Sequence, residues 1–207
     1  MSKIVIVGAG GHGKVLADTL MAGGKVVSGF LDSDPSLHGC HVMGLRVLGD
    51  DDAAQPGWLL VNGVGSVGRP LGRMAVDRLF AGRGFQFLTV IHPGAIVARE
   101  TVLGEGCQIM AGAVLQPDAV LGRGVIVNTR AAVDHDCHLA DFVHVAPGAT
   151  LSGGVQVGEG SHVGTGAVVV EGIRIGSGCM VAAGAVVIDD VPDGAMVAGV
   201  PAKVKRR

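Results

Sequence analysis

A six-residue period runs through the second half of the chain and constrains its fold more than any other feature. Residues 95–190 divide into sixteen consecutive hexads with no insertion, and the third place of every hexad is aliphatic. The first place is nearly always Ala, Cys, Ser, Thr or Val, and Gly is frequent at places four and six. A fixed short period is typical of a β-solenoid, whose inward aliphatic side chains stack on their copies one coil away. The sequence therefore predicts a β-solenoid and not separate hairpins, which would need period-two alternation.

The residues before this repeat alternate between strand-like and helix-like segments. Around the second predicted helix, one apolar face is indicated by the spacing of Leu71, just before it, and of Met74, Ala75 and Leu79 within it. We expect a βαβ domain over residues 1–90, the size of half a dinucleotide-binding fold, and a solenoid domain with a C-terminal extension over residues 91–207. The predicted elements of the first domain are strands at 4–7, 26–31, 58–62 and 85–90 and helices at 14–21 and 72–80.

Composition excludes several classes of function. The formal net charge of -2 gives no bulk attraction for nucleic acid. No apolar run approaches the roughly 20 residues that span a bilayer, and the opening strand is too short for a secretory signal. The cysteines fit no C-x-x-C motif, so we expect free thiols in a cytoplasmic protein; they are Cys40, Cys107, Cys137 and Cys179.

Four features together resemble one family. They are the hexads, the G-A-G-G-H-G-K opening (Gly8–Lys14), the V-D-H-D-C segment (Val133–Cys137) and the terminal G-V-P-A-K (Gly199–Lys203). The chain resembles, over essentially its whole length, the bacterial hexapeptide-repeat acyltransferases that N-acetylate nucleotide-linked amino sugars, with their siblings that O-acetylate sialic acid. The resemblance implies an α/β half-Rossmann-like nucleotide-binding domain and a left-handed parallel β-helix of three hexads per coil, in about five coils. It also implies a homotrimer with active sites between neighbouring subunits.

The glycine-rich opening matches the dinucleotide fingerprint G-x-G-x-x-G, with Gly8, Gly10 and Gly13 in place and Asp32 ending the next strand. Taken alone this motif indicates NAD. However, the domain is too short for two mononucleotide halves, and no hydride-transfer site is evident. The resemblance implies instead that a nucleotide sugar binds here, with its diphosphate near the helix N-terminus. Its implied pocket residues are Gly10, Gly11, His12, Asp32, Ser33 and Gly65.

His135 is the predicted catalytic residue. It lies at place five of its hexad, on an outward corner of the predicted coil. Acyl transfer from a thioester to an amine needs the amine as free base, and a neutral imidazole is suited to take its proton. Asp134 and Asp136 are both adjacent, and either side chain can orient the ring. The resemblance assigns that role to Asp136, where the family usually has Glu.

Acetyl-CoA is the expected co-substrate, and the eighteen-residue length of one coil indicates a groove for it. Positions eighteen apart stack, so Gly153 is predicted to lie on His135 and to present its N–H to the developing oxyanion. By the same arithmetic Thr129, Pro147, Thr165 and Ala183 form one column of the coil. The resemblance assigns Gly153, Thr165, Ala183 and His144 to acetyl-CoA, and Asn128 to the acceptor site.

These observations predict acetyl transfer to the amino group of a nucleotide-linked sugar of the 4-amino-4,6-dideoxy type, in bacterial glycan biosynthesis. Attack on the thioester is expected to be direct, without an acyl-enzyme. A sialic acid O-acetyltransferase and a non-catalytic nucleotide-sugar-binding module are the alternatives that use the same domains. The nucleotide base, the sugar, the position of its amine and the glycan pathway stay open.

A zinc hydratase of the carbonic anhydrase type is the alternative from another class. The segment around the predicted catalytic residue is rich in potential ligands, but their spacing fits no zinc motif, and a zinc enzyme leaves the first domain unexplained. We therefore expect no metal; the residues concerned are His135, Asp136, Cys137, His138 and His144.

Overall fold

A computed structural model describes residues 2–66 and 68–205. The chain divides into two compact units. The first comprises Met1–Ser66 and Leu71–Pro93, and the second comprises Val67–Pro70 and Gly94–Arg207. The main division therefore falls three residues after the expected one, and a short segment near residue 70 belongs to the second unit.

The first unit is built on short strands and two helices. Its strands and α-helices are β1 (Ile4–Val7), α1 (Gly11–Ala22), β2 (Val27–Leu31), β3 (His41–Val42), β4 (Leu45–Arg46), β5 (Leu59–Asn62), α2 (Leu71–Gly82), β6 (Gln86–Phe87) and β7 (Val90–Ile91). Two single-turn 3-10 helices lie at Pro35–Leu37 and Asp51–Ala53. The predicted strand at 85–90 is thus two short strands, and α1 begins earlier than expected because Gly10 forms its extended N-cap.

The sheet of this unit has the order β2-β1-β5-β6, with parallel pairing throughout. Every residue of β1 is buried, as expected for a central parallel strand covered on both faces. The carboxyl ends of β1, β2 and β5 meet at one edge, where ligands of open α/β sheets bind. The loops that begin at Gly8, Asp32 and Gly63 therefore converge at this edge.

The buried face of α2 differs from the prediction. Leu71 and Leu79 are 66% and 45% exposed. The buried side chains are instead Arg73, Asp77 and Phe80. Phe80 makes edge-to-face contacts with the rings of Phe85 and Phe87, at centroid distances of 5.6 and 6.4 Å. The predicted apolar face was wrong because these contacts, and hydrogen bonds made by Arg73, decide the rotation of the helix.

The second unit confirms the hexads. A two-residue strand occupies places two and three of each hexad from 95 to 190, and two further strands follow. The strands are β8 (Ile96–Val97), β9 (Val102–Leu103), β10 (Gln108–Ile109), β11 (Val114–Leu115), β12 (Val120–Leu121), β13 (Ile126–Val127), β14 (Ala132–Val133), β15 (His138–Leu139), β16 (His144–Val145), β17 (Thr150–Leu151), β18 (Gln156–Val157), β19 (His162–Val163), β20 (Val168–Val169), β21 (Arg174–Ile175), β22 (Met180–Val181), β23 (Val186–Val187), β24 (Met196–Ala198) and β25 (Lys203–Lys205).

These strands form three parallel faces of a β-solenoid. The first face has the order β8-β11-β14-β17-β20-β23, the second β9-β12-β15-β18-β21, and the third includes β10-β13-β16-β19-β22-β24. Partners are eighteen residues apart, as in His144↔His162. The stack reaches about six coils rather than five, because β24 pairs with β22 and Val191 bridges to Ile175 beyond the last hexad.

The solenoid core explains the repeat. Side chains at places one and three point inward and are nearly all buried, including the thiols of Cys107, Cys137 and Cys179. The sixth place has a positive φ in fourteen of the sixteen hexads, so glycine predominates there. At four corners of the described solenoid the residue is not glycine, and φ lies between 57° and 61°: these are Asp118, Arg130, Asp136 and Phe142. No helix in the described part of the chain is long and apolar enough to cross a lipid bilayer.

Candidate active site

His135 lies in the turn after β14, which we call the first corner because it follows the first face. Its backbone N–H donates to Asp134 Oδ1 at 2.8 Å. Its ring Nδ1 lies 2.7 Å from Asp136 Oδ2. Because an ionised carboxylate can only accept, this contact favours the proton on Nδ1, which leaves the lone pair of the neutral imidazole on Nε2. The two neighbouring acids thus have different roles: Asp134 holds the backbone, and Asp136 orients the ring.

The electrostatics at this corner favour a basic imidazole. The hydrogen bond to Asp136 raises the pKa of His135 above its ordinary value, and the charges of Asp134, Asp136 and Glu171 act in the same direction. Partial desolvation opposes this shift. More than half of the His135 side chain is exposed. An external proton donor can therefore reach a ring whose orientation is already set.

Gly153 lies on His135, one coil further along the chain, as the eighteen-residue spacing predicts. A Cβ atom at 153 would lie 2.6 Å from both Cε1 and Nε2 of His135. Such a distance is an overlap, so any side chain at 153 would require the His135 ring to move. The backbone N–H of Gly153 donates to no protein acceptor within the described residues. It is therefore available to an oxygen atom of a bound ligand.

A second group of polar side chains lies on the third face. Asn128 Nδ2 is 3.1 Å from His144 Nε2. The ring of His144 packs edge-to-face on that of His162, with centroids 4.8 Å apart. His162 is 8% exposed and its Nδ1 has no hydrogen-bond partner among the described residues, while burial lowers the pKa of this imidazole. His162 is not among the site residues predicted from sequence, although it follows His144 by eighteen residues and the same spacing places it one coil further along.

The column of Thr129, Pro147, Thr165 and Ala183 lies at the third corner, which follows the third face. The carbonyls of Thr129, Pro147 and Thr165 accept the N–H groups of Gly148, Gly166 and Gly184 at 2.9–3.0 Å, which holds these corners in register. Thr165 and Ala183 are exposed. Asn128 and His144 belong to the same face, whereas His135 and Gly153 lie at the first corner. Within one chain the structure therefore forms two groups of predicted site residues, not one.

The glycine-rich loop of the first unit lies at the carboxyl edge of its sheet. Gly10 and Gly11 are exposed, and a Cβ atom at either would meet nothing within 4 Å, so a ligand can approach the backbone closely. A Cβ atom at Gly65 would lie 3.4 Å from the Cβ of His12. The structure therefore brings the loop after β5 against the start of α1.

Asp32 organises this edge directly. Its Oδ2 accepts the Ala9 N–H at 2.7 Å, and its Oδ1 accepts the Asp34 N–H at 2.9 Å. The carboxylate therefore fixes the glycine-rich loop. Ser33 is exposed and borders a cavity of about 380 Å³ together with three consecutive aspartates, Asp50, Asp51 and Asp52. The glycine-rich loop does not line that cavity.

The candidate zinc ligands do not come together. Within residues 2–66 and 68–205, no group of three or more His, Cys, Asp or Glu side chains is placed to hold a metal ion. Cys137 points into the solenoid, where its Sγ lies 3.2 Å from the carbonyl oxygen of Ser152, and burial raises the pKa of its thiol. His135 is outside, at the corner.

Sequence profiles of two families match this chain. The PglD N-terminal domain matches residues 3–70, and the bacterial transferase hexapeptide (six repeats) matches residues 100–135. Among curated proteins, the chain is 40% identical over 122 residues to UDP-N-acetylbacillosamine N-acetyltransferase of Bacillus subtilis. The matched region covers 54% of this chain and 52% of that protein, so it spans about half the length of this relative.

Solved structures match over the whole chain. One is a histidine-to-asparagine variant of perosamine N-acetyltransferase from Caulobacter crescentus in complex with CoA and GDP-perosamine; it is 39% identical, with a TM-score of 0.93 and coverage of 100% of this chain and 98% of that one. Another is the acetyltransferase domain of PglB from Neisseria gonorrhoeae, which is 40% identical, with a TM-score of 0.91 and coverage of 99% and 100%. The chain belongs to the family of bacterial hexapeptide-repeat acetyltransferases that act on nucleotide-linked amino sugars. The family expected from the sequence is thereby confirmed.

Proposed function

We propose that this protein transfers acetyl from acetyl-CoA to the amino group of a nucleotide-linked amino sugar in bacterial glycan biosynthesis. One observation carries the proposal: His135, with its ring held at Nδ1 by Asp136, presents Nε2 beside Gly153, in a chain similar throughout to an enzyme bound to CoA and GDP-perosamine. The names of the relatives favour N-acetylation over the sialic acid alternative.

The proposed step follows from that geometry. The neutral amine attacks the thioester carbonyl, and His135 Nε2 accepts the proton that the amine loses as the C–N bond forms. The carbonyl oxygen becomes negative and accepts a hydrogen bond from the Gly153 N–H. The C–S bond then breaks, and the proton held by His135 neutralises the departing CoA thiolate. Asp136 keeps the ring in the tautomer that this step needs, and the products are the acetamido sugar and CoA.

A homotrimer with sites between subunits accounts for the separation of the two groups. The catalytic pair and Gly153 lie at the first corner, whereas His144, Asn128, Thr165 and Ala183 lie on the third face and at the third corner. We propose that the first corner of one subunit meets the third corner of its neighbour. His144, Thr165 and Ala183 would then bind acetyl-CoA, and Asn128 would border the acceptor.

The nucleotide part of the acceptor is proposed to bind the first unit. Gly10, Gly11 and His12 offer backbone N–H groups at the start of α1, where the helix dipole favours a diphosphate. Asp32 and Gly65 border the same edge, and Ser33 is proposed to contact the nucleotide from the β2 side. The reaction needs no membrane, and the free thiols agree with a cytoplasmic enzyme.

Release of free thiol from acetyl-CoA tests the proposal. Wild type and His135→Ala would be compared with UDP- and GDP-linked 4-amino-4,6-dideoxy sugars, CMP-sialic acid and free sialic acid as acceptors. We expect turnover with one amino sugar, and a loss of about 10² to 10⁴ in kcat for His135→Ala. Turnover only with sialic acid would establish the O-acetyl alternative. Turnover that disappears after chelation would indicate a metal enzyme, and unchanged turnover in His135→Ala would refute the assigned base.

A further inference from the structure

Two loops contact each other at the carboxyl edge of the first unit. Gly8 begins the glycine-rich loop after β1, and Gly63 begins the loop after β5. A Cβ atom at Gly63 would lie 2.6 Å from the carbonyl oxygen of Gly8, and one at Gly8 would lie 3.1 Å from the carbonyl carbon of Gly63. The Gly63 N–H also donates to the Val7 carbonyl at 2.7 Å. The second loop therefore packs directly against the first, and a displacement of either loop would affect the other.

Arg73 lies in the first turn of α2, and its side chain donates hydrogen bonds to the second loop and to the end of β5. Its guanidinium is almost fully buried, with the residue 1% exposed. Nη1 donates to the carbonyl oxygens of Asn62 and Val64 at 3.1 and 2.9 Å. Asn62 completes the network: its Nδ2 donates to the Arg73 carbonyl at 2.9 Å, and its Oδ1 accepts the Val64 N–H at 3.2 Å.

A buried guanidinium has a desolvation cost in folding free energy that an apolar side chain does not have. Burying a guanidinium and an amide requires that their hydrogen bonds be satisfied, and an apolar pair of similar volume packs a helix on a sheet without that requirement. Two hydrogen bonds of the guanidinium go to backbone carbonyls at the end of β5 and in the loop that follows it. The network therefore fixes the backbone of one particular loop at the edge where a ligand binds.

We propose that Arg73 is a positioning residue for the nucleoside diphosphate of the sugar substrate, acting through Asn62 and the loop at 63–65. This inference rests on the proposed function, since it requires a nucleotide at the glycine-rich loop. Arg73 itself does not touch the ligand. It fixes Gly63 against Gly8 and Gly65 against His12, so that the diphosphate meets a preorganised backbone.

Preorganisation sets the expected effect. Without the Arg73 bonds the loop after β5 becomes mobile, and binding must order it again, which weakens affinity. We expect Arg73→Met to raise the Kd of the bound nucleoside diphosphate about tenfold. At saturating substrate, kcat and the KM for acetyl-CoA should change less than about twofold, because neither depends on the mobility of this loop once substrate is bound.

Isothermal titration of UDP, GDP and dTDP against the full-length protein provides the test. Arg73→Met is compared with Asn62→Ala, which removes the other half of the network, and with Arg73→Lys, which retains the charge and one bond. Phe80→Leu is the matched control, because Phe80 is buried on the same face of α2 and makes no bond to the loop. Phe80→Leu should lower the melting temperature and leave Kd unchanged, whereas Asn62→Ala should weaken binding and Arg73→Lys should give an intermediate Kd.

The outcomes separate the two claims. Wild type that binds one nucleotide, with Kd raised in Arg73→Met and Asn62→Ala but not in Phe80→Leu, supports the inference. Equal Kd values in all of these proteins refute the positioning role and leave the proposed function intact. Failure of wild type to bind any of the three nucleotides overturns both. If Arg73→Met does not fold, Asn62→Ala and Arg73→Lys decide the question.

Discussion

Gly153 lies directly on the imidazole of His135, so that a Cβ atom at 153 would come within 2.6 Å of Nε2. On its other side the ring is held at Nδ1 by Asp136. The solenoid thus fixes the orientation of the His135 ring twice, through a neighbour in sequence and through a neighbour one coil away. Both contacts act on the same ring, and each can be changed without the other.

Replacing Gly153 by Ala should displace the His135 ring. The backbone at 153 is not left-handed, so the added methyl group acts through steric overlap alone. We expect kcat to fall about 10²-fold, since a misplacement of about 1 Å has that effect on a catalytic group. Thiol release with saturating acetyl-CoA measures it. Gly178→Ala is the control: it has a left-handed backbone and nothing within 4 Å, so it strains a corner without touching a ring. Equal kcat in both variants would contradict this account.

Replacing Asp136 by Asn should move the pH dependence of the reaction. The base must be neutral, so activity rises as the pH passes the pKa of His135 from below. Because Asp136 raises that pKa, its removal should shift the acidic limb of kcat/KM to lower pH, and the weaker base should lower the plateau about tenfold. Asn tolerates the left-handed backbone found at 136. Asp134→Asn still accepts the His135 N–H and should shift the limb less. An acidic limb that stays at the same pH in Asp136→Asn would show that Asp136 does not set the pKa of the base.

The solenoid was predictable from sequence because each coil imposes the same steric requirement. An inward place tolerates only a small or aliphatic side chain, and sixteen repetitions of that rule predicted the register from β8 to β23. The same arithmetic located Gly153 on His135. It could not choose between Asp134 and Asp136, because both are adjacent in sequence and only the left-handed corner at 136 turns that carboxylate toward the ring.

The first unit was less predictable because its contacts are not local. The apolar spacing of α2 indicated Leu71 and Leu79, but the helix is oriented by Phe85 and Phe87 and by Asn62, which lie outside it. A buried Arg carries no periodic signal. Its hydrogen bonds to Asn62 and Val64 depend on the tertiary packing of α2 beside the loop after β5, which the sequence does not indicate.

The corrected face of α2 gives a stability prediction. Phe80→Ala should lower the free energy of unfolding by about 3–5 kcal/mol, because a fully buried ring leaves a cavity. Leu79→Ala should change it by less than about 1.5 kcal/mol, because nearly half of Leu79 is exposed. Urea unfolding of the full chain followed by circular dichroism measures both. A larger loss of stability for Leu79→Ala than for Phe80→Ala would show that α2 buries the face predicted from sequence.

His162 predicts how the stability of the solenoid depends on pH. Burial lowers the pKa of this imidazole in the folded state, so the unfolded chain binds its proton more readily. This contribution therefore destabilises the fold as the pH falls below about 6.5, the ordinary value for His. The groups packed beside it along the third face are His144 and Met180, neither of them an acid that could stabilise the charge.

His162→Phe keeps a ring against His144 and removes the unpartnered Nδ1. We expect an unchanged or higher melting temperature at pH 7.5 and a smaller loss between pH 7.5 and 5. Calorimetric scans at several pH values measure this, with His138→Gln on the exposed second face as the control. If His162→Phe and wild type lose melting temperature equally on acidification, the buried imidazole is not the group that titrates.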